Sequence, residues 1–314
     1  MNLEKLQPEK SPSKNSQLKN IQLDESRSEK QSTGSEAPIQ KQNDSTDVPN
    51  LHAPEGNTVP TNLLEPQATA DGSYTFFSED FQEAFHSNQG ARLEAELKFV
   101  KPTHLAQCAN QPIVRILDVC YGLGYITAAA LDTIWQLNPQ CHIEWFGLEL
   151  NPTVPKSAIA HHLLDHWPAA VVQLLTQLVS HSSLDHMPTP SCPHRFSGHL
   201  LWGDARQTIQ TVQRSGFQAD TIFLDPFSTV SCPQLWTVEF LDWVIQCLGP
   251  HGRLATYSCS AAVRTAFILA GLKVGSTPGV GRKSPGTIAN FTGSDIPPLT
   301  LQEQEHQKTR AAIP

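Results

Sequence analysis

Four acidic side chains stand where an apolar run gives way to polar chain: Asp118 after VRIL, Glu149 in FGLEL, Asp204 in LLWGD and Asp225 in TIFLD. Between the first two lies the glycine-rich turn Asp118-Val119-Cys120-Tyr121-Gly122-Leu123-Gly124. Glycines there let a ligand approach the backbone, and the amino terminus of a following helix favours a negative group such as a carboxylate. Tight strand-to-helix packing uses the same residues. A dinucleotide fingerprint would place a third glycine at position 127, where this chain has Thr127. Glu149 lies 25 residues beyond Gly124, a spacing at which an acid accepts hydrogen bonds from ribose hydroxyls. Asp204, followed by Ala205, is placed to accept from an adenine amino group. Singly, each acid also suits a solvated strand end or a helix cap. In this order they match an S-adenosyl-L-methionine pocket better than a nicotinamide one. The last acid opens Asp225-Pro226-Phe227-Ser228. A carboxylate beside carbonyl oxygens can orient the N–H bonds of an amine and stabilise the positive charge that develops as the nitrogen attacks an electrophile. The same tetrapeptide also fits a type I turn with proline at its second position.

These residues need a frame that brings strand ends together. From Val114 onward, apolar runs alternate with helical patterns, the sequence sign of a parallel sheet with crossover helices. Strands are expected at 114–119, 143–150, 199–204, 220–225 and 252–258, with helices near 125–137, 205–215, 234–248 and 260–270, and one or two more between 157 and 180. Short strands at 272–276 and 287–292 would complete seven, with an antiparallel edge. Residues 181–198, rich in proline and histidine, read as an irregular loop. Such a sheet binds ligands in the crevice outside the carboxyl ends of its strands, where the four acids fall.

Residues 1–60 contain no Phe, Trp or Tyr and are dominated by Lys, Glu, Gln, Asn, Ser and Pro. They cannot bury enough apolar surface to offset chain entropy, so a disordered polar tail is expected there. The folded domain should then occupy 61–295, with a polar C-terminal tail over 296–314. The net charge of −8 argues against a nonspecific nucleic-acid binder, although a local basic patch remains compatible with RNA. Seven scattered cysteines without a C-x-x-C pair point to reduced thiols rather than a disulfide framework or zinc site. His161, His162 and His166 offer an i, i+4 pair but no third ligand, so no metal is expected. No apolar run suits a membrane span, and the start lacks a signal-peptide core, which gives the expectation of a cytoplasmic chain without a membrane partner.

Leu224-Asp225-Pro226-Phe227-Ser228 resembles the Asp-Pro-Pro-Tyr type motif of methyltransferases that act on amino groups. The segment TADGSYTFFSEDFQEAFHSNQGARLEAELKFV at 69–100 resembles the entry segment of MnmC-type methyltransferases, the amino-terminal half of the bifunctional tRNA 5-methylaminomethyl-2-thiouridine enzyme and its stand-alone relatives. The run 219–274 and Gly279-Val280-Gly281-Arg282-Lys283 resemble that family too. The resemblance implies a Rossmann-like α/β fold, the seven-stranded class I methyltransferase sheet, mostly parallel with helices on both faces. It implies S-adenosyl-L-methionine as cofactor and the wobble uridine of tRNA as partner. It places the residue matching Asp225 at the methyl-transfer site and those matching Glu149 and Asp204 on the cofactor. The expected cofactor contacts are therefore Asp118, Gly122, Gly124, Glu149, Asp204 and Ala205, with Asp225 catalytic. His86, Phe227, Arg282 and Lys283 are the expected substrate contacts. For Arg282 and Lys283 a phosphate contact and a solvated turn are both open, and for His86 a structural hydrogen bond is.

This chain departs from the family at Pro226, where glycine is usual, and at Ser228-Thr229, where Ala-Pro is usual. The departures bear on the acceptor, not on fold or cofactor. Three other readings stay open: a methyltransferase for another amine, on a small molecule or a protein; a non-catalytic binding member of the fold; and a dehydrogenase. With no oxidoreductase half after residue 314, the chain is expected to perform only the methylation.

Overall fold

Each apolar run closes against a neighbour because its side chains alternate between two covered faces. In the central strand, Val114 and Ile116 belong to one hydrophobic cluster and Leu117 and Val119 to the other. A computed structural model describes residues 63–279 and 284–313, all within one unit, so the tail expected over 1–60 lies outside the described residues. The chain opens with two antiparallel pairs, β1 (Gln67–Ala68) with β2 (Tyr74–Thr75) and β3 (Phe77–Ser78) with β4 (Glu83–Ala84). A helical arch follows, in which α1 (Ala91–Glu94) runs into a π-helical turn over Ala95–Val100, with α2 (Leu105–Cys108) beyond it.

The alternating part then runs β5 (Ile113–Val119), α3 (Tyr125–Leu137), β6 (His142–Glu149), α4 (Thr153–Ala160), α5 (Ala169–His181), β7 (Ser183–His186), β8 (Arg195–Trp202), α6 (Ala205–Arg214), β9 (Ala219–Leu224), α7 (Val238–Gln246), β10 (Leu248–Thr256), α8 (Ala261–Leu269), β11 (Lys273–Ser276) and β12 (Thr287–Asn290), and α9 (Leu301–His306) closes the chain. The sheet order is β11-β12-β10-β9-β5-β6-β8-β7. The five strands from β10 to β8 are parallel. Successive strands run outward from β5 in opposite directions, so a crevice opens beyond its carboxyl end. Helices cover both faces, which suits strands that are apolar on both sides. α3 buries nine side chains, and its Ala128-Ala129-Ala130 run lets the entry arch pack close. Each fully buried aliphatic side chain contributes about 1.5–3 kcal/mol.

The Rossmann-like α/β sheet expected from the sequence is present, with corrections. It has eight strands rather than seven, because Ser183–His186, in the segment read as a loop, pairs antiparallel with β8. This SLDH strand is half-exposed and carries no apolar run to announce it. The antiparallel member on the other side, β12, lies between β10 and β11 rather than on the edge.

The segment after residue 295, polar in composition, is docked rather than trailing. Ile296 packs on the core, and the Ser276 N–H donates to the Pro297 carbonyl at 3.2 Å. Thr300 and Glu303 form a capping box that starts α9. Glu303 Oε1 accepts from Arg264 Nη1 at 2.8 Å, and Arg264 is 1% exposed on α8. The guanidinium also donates to Thr287 Oγ1 and the Gly286 carbonyl. Burial alone would raise the Glu303 pKa, but hydrogen bonds from Thr300, Ser276 and Arg264 outweigh it and hold the carboxyl down at about 2. Among the described residues no helix is long and apolar enough to cross a membrane, and all seven cysteines are free thiols.

Candidate active site

Beyond the carboxyl ends of β5, β6, β8 and β9 lies a cleft of about 1230 Å³, open solvent at its mouth included. The entry pair β3–β4 and the end of α1 form its outer wall.

The inner wall starts at the turn after β5. Cys120, Gly122 and Gly124 all have left-handed backbone, with φ of 71°, 58° and 89°. The turn folds back so that the Gly122 N–H donates to Glu149 Oε2 at 2.8 Å. The Asn151 N–H takes Oε1, also at 2.8 Å. Glu149 is 7% exposed, and burial raises its pKa against the opposing pull of the N–H groups of Asn151 and Gly122. The Leu150 N–H also bonds this carboxylate, which leaves it one lone pair for a donor in the cleft.

Two expected cofactor contacts do not line this cleft. The pleat of β5 turns Asp118 onto the α3 face, where it is 0% exposed and accepts from Thr127 Oγ1 at 2.5 Å. Thr127 in turn accepts from Trp145 Nε1. Burial pushes the Asp118 pKa up to about 7, with the Thr127 hydrogen bond opposing and the Glu149 charge assisting. Asp118 thus buttresses the turn from below. Gly124 caps α3, and a Cβ there would fall 2.5 Å from Tyr121 Oη. Its lack of a side chain serves packing within the turn.

Asp204 and Ala205 do line the cleft, at the start of α6. Asp204 is at once a helix cap and a cleft residue. Its carboxylate accepts from the Arg206 N–H at 2.9 Å and from the Arg206 guanidinium, whose hydrogen bond is the main cause of its lowered pKa.

Asp225 follows β9 and lines the cleft with its neighbours Pro226 and Phe227. Its N–H donates to the Val119 carbonyl at 3.0 Å, which ties the turn to the end of β5. The loop is gripped from two sides. The Phe227 ring stacks on Phe81 at 4.5 Å and meets the edge of Phe85 at 4.9 Å. Glu83 Oε2 accepts from the Ser228 N–H at 3.1 Å, and Trp236 Nε1 donates to the Phe227 carbonyl at 2.8 Å. His86 lines the cleft from a buried position, with its N–H on Thr75 Oγ1 and its ring against Tyr125.

The cleft therefore gathers Gly122, Glu149, Asp204, Ala205, Asp225, His86 and Phe227. Arg282 and Lys283 lie outside the described residues. Glu83, Phe81, Phe85 and Glu94 also line it, and sequence reasoning did not single them out. The only signal for the first three is the spacing of phenylalanines in FFSEDFQEAF at 76–85. No cluster of potential metal ligands occurs among the described residues.

The chain that forms this cleft is similar to known proteins. Residues 157–292 match the family model described as S-adenosyl-L-methionine-dependent methyltransferase. The crystal structure of MnmC2 from Aquifex aeolicus is 32% identical, with a TM-score of 0.67, over 81% of this chain and 79% of that one. An uncharacterized protein of Methanocaldococcus jannaschii is 29% identical over 239 residues, covering 76% of this chain and 62% of that protein. The tRNA 5-methylaminomethyl-2-thiouridine biosynthesis bifunctional protein MnmC of Acidovorax is 27% identical over 236 residues. This chain spans 34% of the length of that bifunctional protein.

Proposed function

The chain belongs to the MnmC2-type family of S-adenosylmethionine-dependent methyltransferases, and from that premise we propose that it methylates the primary amine of a 5-aminomethyl-(2-thio)uridine at the tRNA wobble position. The observation that carries this reading is that Asp225 shares one cleft with Glu149 and Asp204. An acid suited to an acceptor amine and acids suited to an adenosyl ligand thus face the same space. When bound, the cofactor supplies an electrophilic methyl group.

Glu149, fixed by backbone N–H groups, accepts from a ribose hydroxyl. Asp204 and Ala205 border the adenine. Gly122 leaves room for the amino-acid end beside the glycine turn, with Asp118 and Gly124 holding that turn from behind. Asp225 accepts from the acceptor N–H, aims the nitrogen lone pair along the displacement line, and balances the charge that develops on nitrogen. An alkylamine reaches the site mostly protonated at neutral pH, so Asp225 or water first takes up a proton. Phe227, Phe81 and Phe85 exclude water at this end, and His86 borders the acceptor. Arg282 and Lys283 are assigned to phosphate contacts.

The reading is tested with labelled methyl on S-adenosylmethionine and an anticodon stem-loop carrying 5-aminomethyl-2-thiouridine, read as the methylaminomethyl nucleoside by mass spectrometry. Transfer to that RNA, with none to a 5-carboxymethylaminomethyl control, is expected. Inactivity on the RNA together with transfer to another amine would overturn the substrate and leave the methyltransferase assignment standing.

The cofactor end has its own check. Glu149→Ala orphans the N–H groups of both Gly122 and Asn151, whereas Glu149→Gln keeps one acceptor oxygen and orphans only one of them. Losing a charge-assisted hydrogen bond costs about 1.5–3 kcal/mol, so affinity for S-adenosylhomocysteine should fall roughly 10- to 150-fold by calorimetry. An unchanged affinity would put the ribose elsewhere.

A further inference from the structure

Among the described residues, those lining the cleft include six carboxylates, Asp80, Glu83, Glu94, Glu149, Asp204 and Asp225, and no Lys or Arg. Asp80 is exposed at the rim. Glu83 is engaged by the Ser228 N–H, Glu149 by backbone N–H groups, and Asp204 by Arg206. Glu94 combines deep burial with a single engaged oxygen. It is 5% exposed, and its Oε2 accepts from the Ser87 N–H at 3.1 Å. Its Oε1 accepts no hydrogen bond from any described residue. Among the described residues its ion-pair partner is Lys98, whose Nζ lies 4.0 Å away on the next helical turn and which is 0% exposed.

That arrangement is costly as architecture alone. A buried carboxylate is tolerated when it is paired and its lone pairs are used. Here the countercharge sits at the outer limit of an ion pair, and Lys98 directs one donor to the Ser284 carbonyl at 3.2 Å. The charge of Glu94 is balanced at a distance while one oxygen stays available to a donor in the cleft. Its mount is rigid: Asp71 Oδ2 accepts from the Leu93 N–H, and Ser73 Oγ accepts from Ala91 and Arg92 at the start of α1.

We infer that Glu94 binds the acceptor amine as a cation, its Oε1 accepting an N–H of the ammonium group before the proton is removed and the nitrogen turns to the methyl. Glu94 selects a primary ammonium over a neutral group of the same size, whereas Asp225 acts on the nitrogen as it reacts. This rests on the acceptor reading above.

The test compares two anticodon stem-loops that differ only in 5-aminomethyl-2-thiouridine against 5-hydroxymethyl-2-thiouridine. Their binding to the full chain, saturated with S-adenosylhomocysteine, is measured for wild type and Glu94→Gln. The substitution keeps the side-chain size and the bond from Ser87. Wild type should prefer the aminomethyl RNA by about tenfold or more, and Glu94→Gln should lose most of that preference. In turnover, KM for the aminomethyl RNA should rise more than kcat falls, with cofactor affinity within about twofold. A preference retained in Glu94→Gln, or a loss that strikes both RNAs equally, makes Glu94 a structural residue and overturns the inference alone. A wild-type chain with no preference overturns it together with the acceptor reading.

Discussion

Asp225→Ala should bind S-adenosylhomocysteine within about twofold of wild type yet transfer methyl on the order of a hundredfold more slowly or worse. The size follows from removing a group that acts mainly on the charge developing in the transition state. The loop keeps ties that do not involve the 225 side chain: the backbone bond from residue 225 to Val119, the Phe81–Phe227–Phe85 stack, and the bonds to Glu83 and Trp236. Asp225→Asn keeps a carbonyl oxygen to orient the amine but no charge, and should fall between Ala and wild type. Single-turnover transfer to the aminomethyl RNA, with cofactor bound to saturation, reads the effect on chemistry. Full activity in the Ala variant would sink the role, and a comparable loss of cofactor affinity would move Asp225 into the cofactor pocket.

The second large effect concerns stability. Glu303→Gln removes the countercharge of Arg264, a guanidinium that is 1% exposed. Glu303 is only partly buried and glutamine keeps an acceptor oxygen, so the loss is that of a charge-assisted hydrogen bond, about 1.5–3 kcal/mol, which for a domain of this size lowers Tm by roughly 3–12 °C. The pH dependence has a definite sign. The Glu303 carboxyl is depressed from 4.5 to about 2 in the folded chain, so its contribution is complete above the unfolded value and is lost as pH falls toward the folded one. The Tm gap between wild type and variant should therefore be widest at neutral pH and narrow on acidification through that window. Asp118 slopes the other way: its pKa is raised from 3.8 to about 7, so its contribution declines as pH rises between those values. It is common to both proteins and cancels in the difference. Thermal melts at three pH values decide the matter, and a gap that stays constant with pH would mean that the pair is not what latches the C-terminal segment.

How far the molecule was legible depends on which physical signal each part carries. β5 and α3 are plain in the sequence because an apolar run followed by glycines and a periodic helix can be read locally. β7 is not, since SLDH becomes a strand only because β8 offers an open edge. The polar segment QEQEH carries a local helix start in the Thr300–Glu303 capping box, but its docking depends on a distant partner, the buried Arg264 that Glu303 meets. The glycine-turn motif counts residues and says nothing of side-chain direction. It therefore placed Asp118 and Gly124 with Gly122, although the pleat sends Asp118 toward Thr127 and Gly124 is needed by Tyr121. Glu83 and Glu94 were hidden among many polar residues of the entry segment. Only the folded chain brings one to Ser228 and the other beside Lys98.

The clasp between Glu83 and Ser228 joins residues 145 apart in the chain, and this sets a timetable for synthesis. At about 5–20 residues per second, the β3–β4 hairpin leaves the ribosome roughly 7–30 s before the loop it grips. During that interval Phe81 and Phe85 lack the ring on which they pack. Contacts of such long range are also slow to form once the partner exists. A nascent chain halted short of Ser228 thus carries the glycine turn and Glu149 with no outer wall clasped over them.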